Sequence, residues 1–388
     1  MPERSPSSNS RILNRQLLGK LKLGVKPKLQ WDASYKVVDN SQSNFPKNSQ
    51  VLEFFRTSLT PEEVWHHLPP ELQNSEDFAN TLKKSIALRL LKEDFQLPEF
   101  DRPIFIVSAP RAGSTLLFET LSQFPDLWTI GRESHDIMEG IPELHPAFRN
   151  YISNRLTAAD ALPHVSLALR DGFVRQLRDR SKTAYINLPV KERPQKIRFL
   201  EKTPKNVLRV PFLQAVFPDA LFIFLYREPK GNISSMIEGW KAKRFISYPK
   251  LPGWQEKNWS FLLIPGWQSL QNCSIAEIAA YQWKMANSCI WDNLQSLPSS
   301  CWCLLRYEDL IKEPKKVIGE IREFVGLSWD GKIEEKLSQS LPNSAETISP
   351  PSPNKWRKNE REILKILPIV EPTANLIETK LNDFNNIT

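Results

Sequence analysis

The stretch Pro103-Ile-Phe-Ile-Val-Ser-Ala-Pro-Arg-Ala-Gly-Ser-Thr-Leu-Leu117 constrains the fold more than any other part of the chain. Its apolar run Ile104 to Val107 predicts a buried parallel strand, and Ser114-Thr115-Leu116-Leu117 predicts the first turn of a helix. The Ser-Ala-Pro-Arg-Ala-Gly loop between them is tight and carries one cation. A strand, a small-residue loop and a helix start together build an anion site. Unpaired backbone N–H groups converge there, and the positive end of the helix dipole favours a phosphate.

The loop approaches the Walker A pattern, Gly-x-x-x-x-Gly-Lys-Ser/Thr, and departs from it where the chemistry is decided. Ser108 stands at the first Gly position, Gly113 at the second, Ser114 where the Lys belongs, and Thr115 closes it. The cation has moved into the loop as Arg111. An NTPase loop needs that Lys on the β/γ-phosphates and a Walker B Asp for magnesium. The second apolar run, Leu221-Phe-Ile-Phe-Leu-Tyr226, ends in Arg227 instead of Asp. Such a loop suggests a nucleotide with no metal required and speaks against a P-loop nucleotide kinase. The bland alternative for the loop alone is a turn between strand and helix.

Four segments in order resemble the sulfotransferases that use 3′-phosphoadenosine-5′-phosphosulfate (PAPS), with motifs nearest the tyrosylprotein and bacterial branch. Pro110-Arg-Ala-Gly-Ser-Thr-Leu116 looks like the family's 5′-phosphosulfate loop, and Glu201-Lys-Thr-Pro204 like its Lys-bearing segment. Phe217 to Ser235 is similar to the 3′-phosphate motif, an Arg at a strand end with a Ser eight residues on. Arg306-Tyr-Glu-Asp-Leu310 looks like the family's late Tyr-Glu-Asp-Leu segment. The match runs from about residue 100 to about 365.

The resemblance implies a sulfuryl transfer from PAPS to a hydroxyl-bearing acceptor, leaving 3′,5′-adenosine bisphosphate (PAP). Arg111 and the backbone of Ala112, Gly113, Ser114 and Thr115 would hold the 5′-phosphosulfate. Arg227 and Ser235 would hold the 3′-phosphate. Tyr307 would lie near the adenine, and Lys355 and Arg357 resemble the basic segment that closes over the nucleotide. Lys202 would reach the bridging oxygen. A base must take the acceptor's proton; Glu133 in Ile130-Gly-Arg-Glu-Ser-His135 stands first and His135 is its rival. An ordinary ion pair is the structural alternative for Glu133 and Arg227, and a surface position for Lys202. A catalytically inactive sulfonucleotide-binding scaffold is the alternative function.

The formal charge of +8 does not describe a nucleic-acid binder, because residues 1–30 hold seven Lys/Arg against Glu3 alone. A nucleic-acid site would spread its basic residues over a folded face. Leu13, Leu17 and Leu21 among the basic residues leave peripheral membrane or partner docking open for that tail. No apolar run approaches the ~20 residues of a membrane span, and no secretory leader pattern appears. The four cysteines read as buried thiols of a reducing compartment, so the expected location is cytoplasmic.

The expected organisation is a polar basic tail over 1–50, a helical extension over 51–99 opened by Thr60-Pro61-Glu62-Glu63, a sulfotransferase domain over 100–370, and a C-terminal segment over 371–388. The expected fold is α/β: a P-loop-like doubly wound sheet, mostly parallel, flanked by helices, with that N-terminal helical extension. Strands are expected at Ile104–Val107, Leu127–Ile130, Ile197–Leu200, Leu221–Tyr226 and Trp302–Leu305. Segment 134–195 reads as mostly helical, and 341–355 as a loop over the site. Trp254, Trp259 and Trp267 read as a lid on the acceptor pocket.

Overall fold

The computed structural model describes residues 97–339, 341–348, 352 and 354–385. The basic tail, the Thr60 helix start and the extension up to residue 96 lie outside the described residues. The sheet strands are β1 (Glu99–Phe100), β2 (Ile104–Val107), β3 (Leu127–Trp128), β4 (Lys196–Lys202), β5 (Leu221–Tyr226) and β8 (Trp302–Arg306). Between β5 and β8 lies a separate hairpin of β6 (Ile246–Pro249) and β7 (Asn258–Ser260). The helices are α1 (Ser114–Leu121), α2 (His135–Met138), α3 (Pro163–Val174), α4 (Val210–Val216), α5 (Pro229–Lys241), α6 (Ile275–Leu294), α7 (Tyr307–Lys312), α8 (Pro314–Val325), α9 (Gly331–Leu337) and α10 (Glu360–Asn385).

The sheet order is β1-β4-β2-β5-β8, with β3 also paired to β4, and every pair is parallel. Strands β2 and β5 are apolar throughout because both faces are covered. On one face Ile104, Ile106, Leu200 and Ile223 pack with Leu117 and Leu121 of α1 and Ile318 and Ile321 of α8. On the other, Phe105 meets Phe199, Phe217 and Phe222, and Phe199 meets Phe173 of α3. After β2 the chain builds β3 and β4 on one side, then crosses to β5 on the other. The carboxyl end of β2 is therefore a topological switch point, where open α/β sheets bind ligands.

Three expectations are corrected. Segment 134–195 is not mostly helical: only α2 and α3 are α-helical, and the rest is short 3-10 turns and loop. Its prolines at 142, 146, 163, 189 and 194 interrupt any longer run. The tryptophans are not a lid. Trp259 and Trp267 are fully buried, and Trp254, Trp259 and Trp267 pack edge to face on one another. The indole N–H groups of Trp259 and Trp267 donate to Leu262 O and Tyr151 O, and that of Trp254 is buried without a partner among the described residues. The thiols are half-buried rather than buried, and all four are free. Helix α10 runs continuously through the boundary expected between 370 and 371. No helix among the described residues is long and apolar enough to cross a membrane.

Candidate active site

Strand ends supply the site. The loop after β2, Lys202 at the end of β4, Arg227 after β5 and Tyr307 after β8 share the carboxyl edge of the sheet. Register explains the neighbours: Ile106 pairs with Lys202, and Tyr226 with Arg306, so Arg227 and Tyr307 emerge side by side. All of them line one cavity of about 880 Å³.

The loop is held in a shape built for an anion. Arg111 has φ 66° and Gly113, the N-cap of α1, has φ 103°, with no side-chain cap on the helix. A side chain at Gly113 would put its Cβ 2.4 Å from the Tyr307 ring, so only glycine serves both the φ and the contact. Asn232, buried in α5, donates from Nδ2 to Pro110 O at 2.7 Å and fixes the loop from outside. The first turn of a helix leaves its N–H groups unpaired; those of Gly113, Ser114, Thr115 and Leu116 have no hydrogen-bond partner among the described residues. Ala112 differs. Its N–H closes the loop on Ala109 O at 3.2 Å, so it is not among the cradling donors.

Cations crowd around this cradle. The Arg111 guanidinium donates from Nη2 to Glu346 O at 2.8 Å and lies 4.5 Å over the Phe245 ring. Burial pushes it down to about 10, opposed by the Glu346 carboxylate and reinforced by Arg227 and Arg244. Arg227 donates from Nη1 to Arg111 O at 3.0 Å, with its guanidinium 4.5 Å over Tyr307. The Nε atoms of Arg111 and Arg227 are both buried without a partner among the described residues. Burial, together with Arg227, Lys358 and Arg111, pushes the Lys355 ammonium below its ordinary value. Ser114, Thr115, Ser235 and Lys355 line the cavity, and Arg357 does not. In the tight 3-10 turn Lys355–Asn359, residues three apart share a face, so Lys358 joins Lys355 at the cavity while Arg357 turns out to Glu360 at 3.0 Å.

On the other side of the loop the structure brings together the three candidates for chemistry. The Lys202 side chain is 5% exposed; its Nζ donates to Glu133 Oε1 at 2.5 Å and to Thr115 Oγ1 at 3.1 Å. His135 Nε2 lies 2.8 Å from Glu133 Oε2, and its Nδ1 is buried without a partner among the described residues. Burial alone would raise the Glu133 carboxyl. Hydrogen bonds and charge from His135 and Lys202 overcome it and hold the group at about 2.

Behind this trio lies an anchor that motif reading overlooked. Ser134, between the two candidate bases, donates from N to Thr203 Oγ1 at 2.7 Å and from Oγ to Glu201 Oε1 at 2.7 Å. Glu201 is wholly buried and its carboxyl is pushed up by that burial, although Thr203, Ser134 and Asn206 all donate to it. The alternation of a strand sends Glu201 and Lys202 to opposite faces, so the same segment carries Lys202 and fastens the loop that bears Glu133. Equally unforeseen is a second ionic group, Glu139 with Lys205 and Arg209, one helical turn from His135. Lys205 was visible in the run after Lys202. Glu139 falls one helical turn after His135, and that spacing was its only signal.

A family model described as the sulfotransferase family matches residues 103–331. The chain belongs to the sulfotransferase family. The match takes in the phosphate loop, β4 with Lys202, β5 with Arg227 and the β8–α7 junction. A Caenorhabditis briggsae protein, assigned by name to the protein-tyrosine sulfotransferases, is 23% identical over 234 residues, covering 60% of this chain and 68% of its own. Similar solved structures include sulfotransferase STF9 from Mycobacterium avium, at 14% identity, with 87% of this chain and 98% of that chain covered and a TM-score of 0.43. The sulfotransferase domain from the curacin biosynthetic pathway is 19% identical, with 71% and 98% covered and a TM-score of 0.38. Mouse sulfotransferase SULT7A1, solved with PAP, is 14% identical, with 73% and 91% covered and a TM-score of 0.33.

Proposed function

We propose that this family member moves a sulfuryl group from PAPS to an acceptor hydroxyl. The observation that carries the reading is a Walker-Lys-free phosphate loop sharing one cavity with Lys202, itself held between Thr115 and Glu133. The fit to a sulfonucleotide rests on donors left over: the Nε atoms of Arg111 and Arg227 and the N–H groups of Gly113 to Leu116. Those groups suit two anionic ends of one ligand, with Arg111 and the loop at the first and Arg227, Ser235 and Lys355 at the second.

PAPS supplies the sulfuryl group, and the chain's residues bind, orient and move a proton. Lys202 places a positive charge where a leaving phosphate gains negative charge, which is the electrostatic demand of such in-line transfers. Glu133 is the base. It is ionised across the working pH range, and its two oxygens rest on Lys202 and His135. Each time Lys202 turns from Glu133 towards an anionic ligand, one influence that depresses the carboxyl is relaxed and the base strengthens. His135 steadies the second oxygen.

Incubation with PAPS and pools of hydroxyl compounds tests the reading by mass spectrometry. Gain of one SO3 on an acceptor together with PAP supports it; PAP binding with no transfer to any pool points to the inactive scaffold.

A further inference from the structure

Resting on that reading, we propose that Glu139 is the acceptor-recognition residue, and that the acceptor is a neutral compound with a second hydroxyl and an apolar body. Glu139 N bonds to His135 O at 2.8 Å, so the two side chains are one helical turn apart on one face, with Cβ atoms about 5–6 Å apart. Both line the cavity. A second functional group on an acceptor held at the Glu133–His135 pair therefore falls within reach of Glu139.

The carboxylate is asymmetrically used. Oε1 accepts from Lys205 Nζ at 2.7 Å, Arg209 Nη2 at 3.2 Å and Tyr248 OH at 3.1 Å. Oε2 carries no hydrogen bond among the described residues, and the Glu139 side chain, 14% exposed, lines the cavity. Three separate segments build this group, Glu139, the Lys205–Arg209 turn and Tyr248, and Lys205 and Arg209 are almost wholly buried. A buried ionic cluster contributes little net stability, and its place on a cavity wall marks it as a functional candidate.

Charge selects the ligand. Two cations already face the one carboxylate, so an added ammonium would be a third. A carboxylate or sulfate on the acceptor would meet Oε2 directly and be repelled. A neutral O–H donor satisfies Oε2 without either cost. Phe245, Ile246, Phe261 and Leu262 line the same cavity and suit an apolar body.

The test uses the full chain, PAPS and four matched probes: cyclohexylmethanol, cyclohexanedimethanol, aminomethyl-cyclohexylmethanol and hydroxymethyl-cyclohexanecarboxylate. The expected result is a kcat/KM about tenfold higher for the diol than for the mono-alcohol, with both charged probes below the diol. Glu139→Asp keeps the charge but withdraws the oxygen, and should bring the diol to mono-alcohol ratio near one while PAP still stabilises the protein. A ratio near one in the unaltered chain overturns the proposal. So does preference for either charged probe, a ratio that survives Glu139→Asp, or no turnover of any probe by a chain that transfers SO3 to another acceptor of the pools. The unaltered chain decides even if the variant fails to fold. Failure of PAP to stabilise the chain is a separate result and sinks the sulfotransferase reading itself.

Discussion

Glu133 is held by two opposing influences, and its variants separate them. Burial works against its charge while Lys202 and His135 favour it, and the charge wins. Glu133→Gln should leave PAP affinity intact and lower turnover by roughly 100-fold or more, the range of lost general-base catalysis. Because the free carboxyl sits at about 2, the acid limb of kcat/KM should lie below about pH 4. A limb near neutral pH would hand the proton to His135. Lys202→Ala should lower kcat by about 100- to 1000-fold, since its partner charge develops during transfer. If that variant changes only nucleotide affinity, its assigned role is wrong. The same depressed carboxyls bear on stability. Glu133 and Glu139 both fall to about 2 in the folded chain, below the ~4.3 of a free Glu. Their contribution is present above that free value and drains away as pH falls towards 2. Melting temperature should therefore drop across this window, and Glu133→Gln should flatten the slope.

The β2–α1 loop shows how an element is made for one purpose. Its left-handed residues turn the backbone N–H groups to one side, and Tyr307, directly after β8, packs on Gly113. Gly113→Ala should cost more than about 1 kcal/mol of stability and weaken PAP binding, because both the φ and the Tyr307 contact resist a Cβ. Unchanged melting and unchanged affinity would mean the loop adapts freely. Arg227→Ala should weaken PAP binding by about 10- to 100-fold, the worth of a charge-assisted contact. This element was legible in the sequence because its strand is apolar on both faces and its loop is short. The Lys202, Arg227 and Tyr307 positions were legible for the same reason: each ends a strand or directly follows one. The second ionic group was not. Glu139, the Lys205–Arg209 turn and Tyr248 come from separate segments joined only by folding, and no local pattern links the three. The tryptophans misled because aromatic residues beside Pro-Gly pairs read alike in a lid and in a core. Arg357 misled because the three-residue period of its turn, which points it away, is invisible in a basic tripeptide.

At the scale of the whole molecule, the parallel sheet brings the strand-end residues to one edge, and the switch at β2 opens the cavity among them. A ligand spanning both cation groups must stabilise the fold that holds them. PAP without added metal should raise the melting temperature, with about 2.7 kcal/mol of stabilisation at 100 times its dissociation constant. ATP with magnesium, which lacks the 3′-phosphate, should do much less. Equal shifts with both would remove Arg227 and Ser235 from the nucleotide site. Acceptor-dependent sulfuryl transfer from PAPS, followed side by side in the unaltered chain and in Lys202→Ala, is the deciding measurement. PAP release should be matched by SO3 on the acceptor and cut about 100-fold or more by Lys202→Ala while PAP still binds. PAP bound with no SO3 ever transferred, or transfer at the same rate without Lys202, would contradict the proposed mechanism.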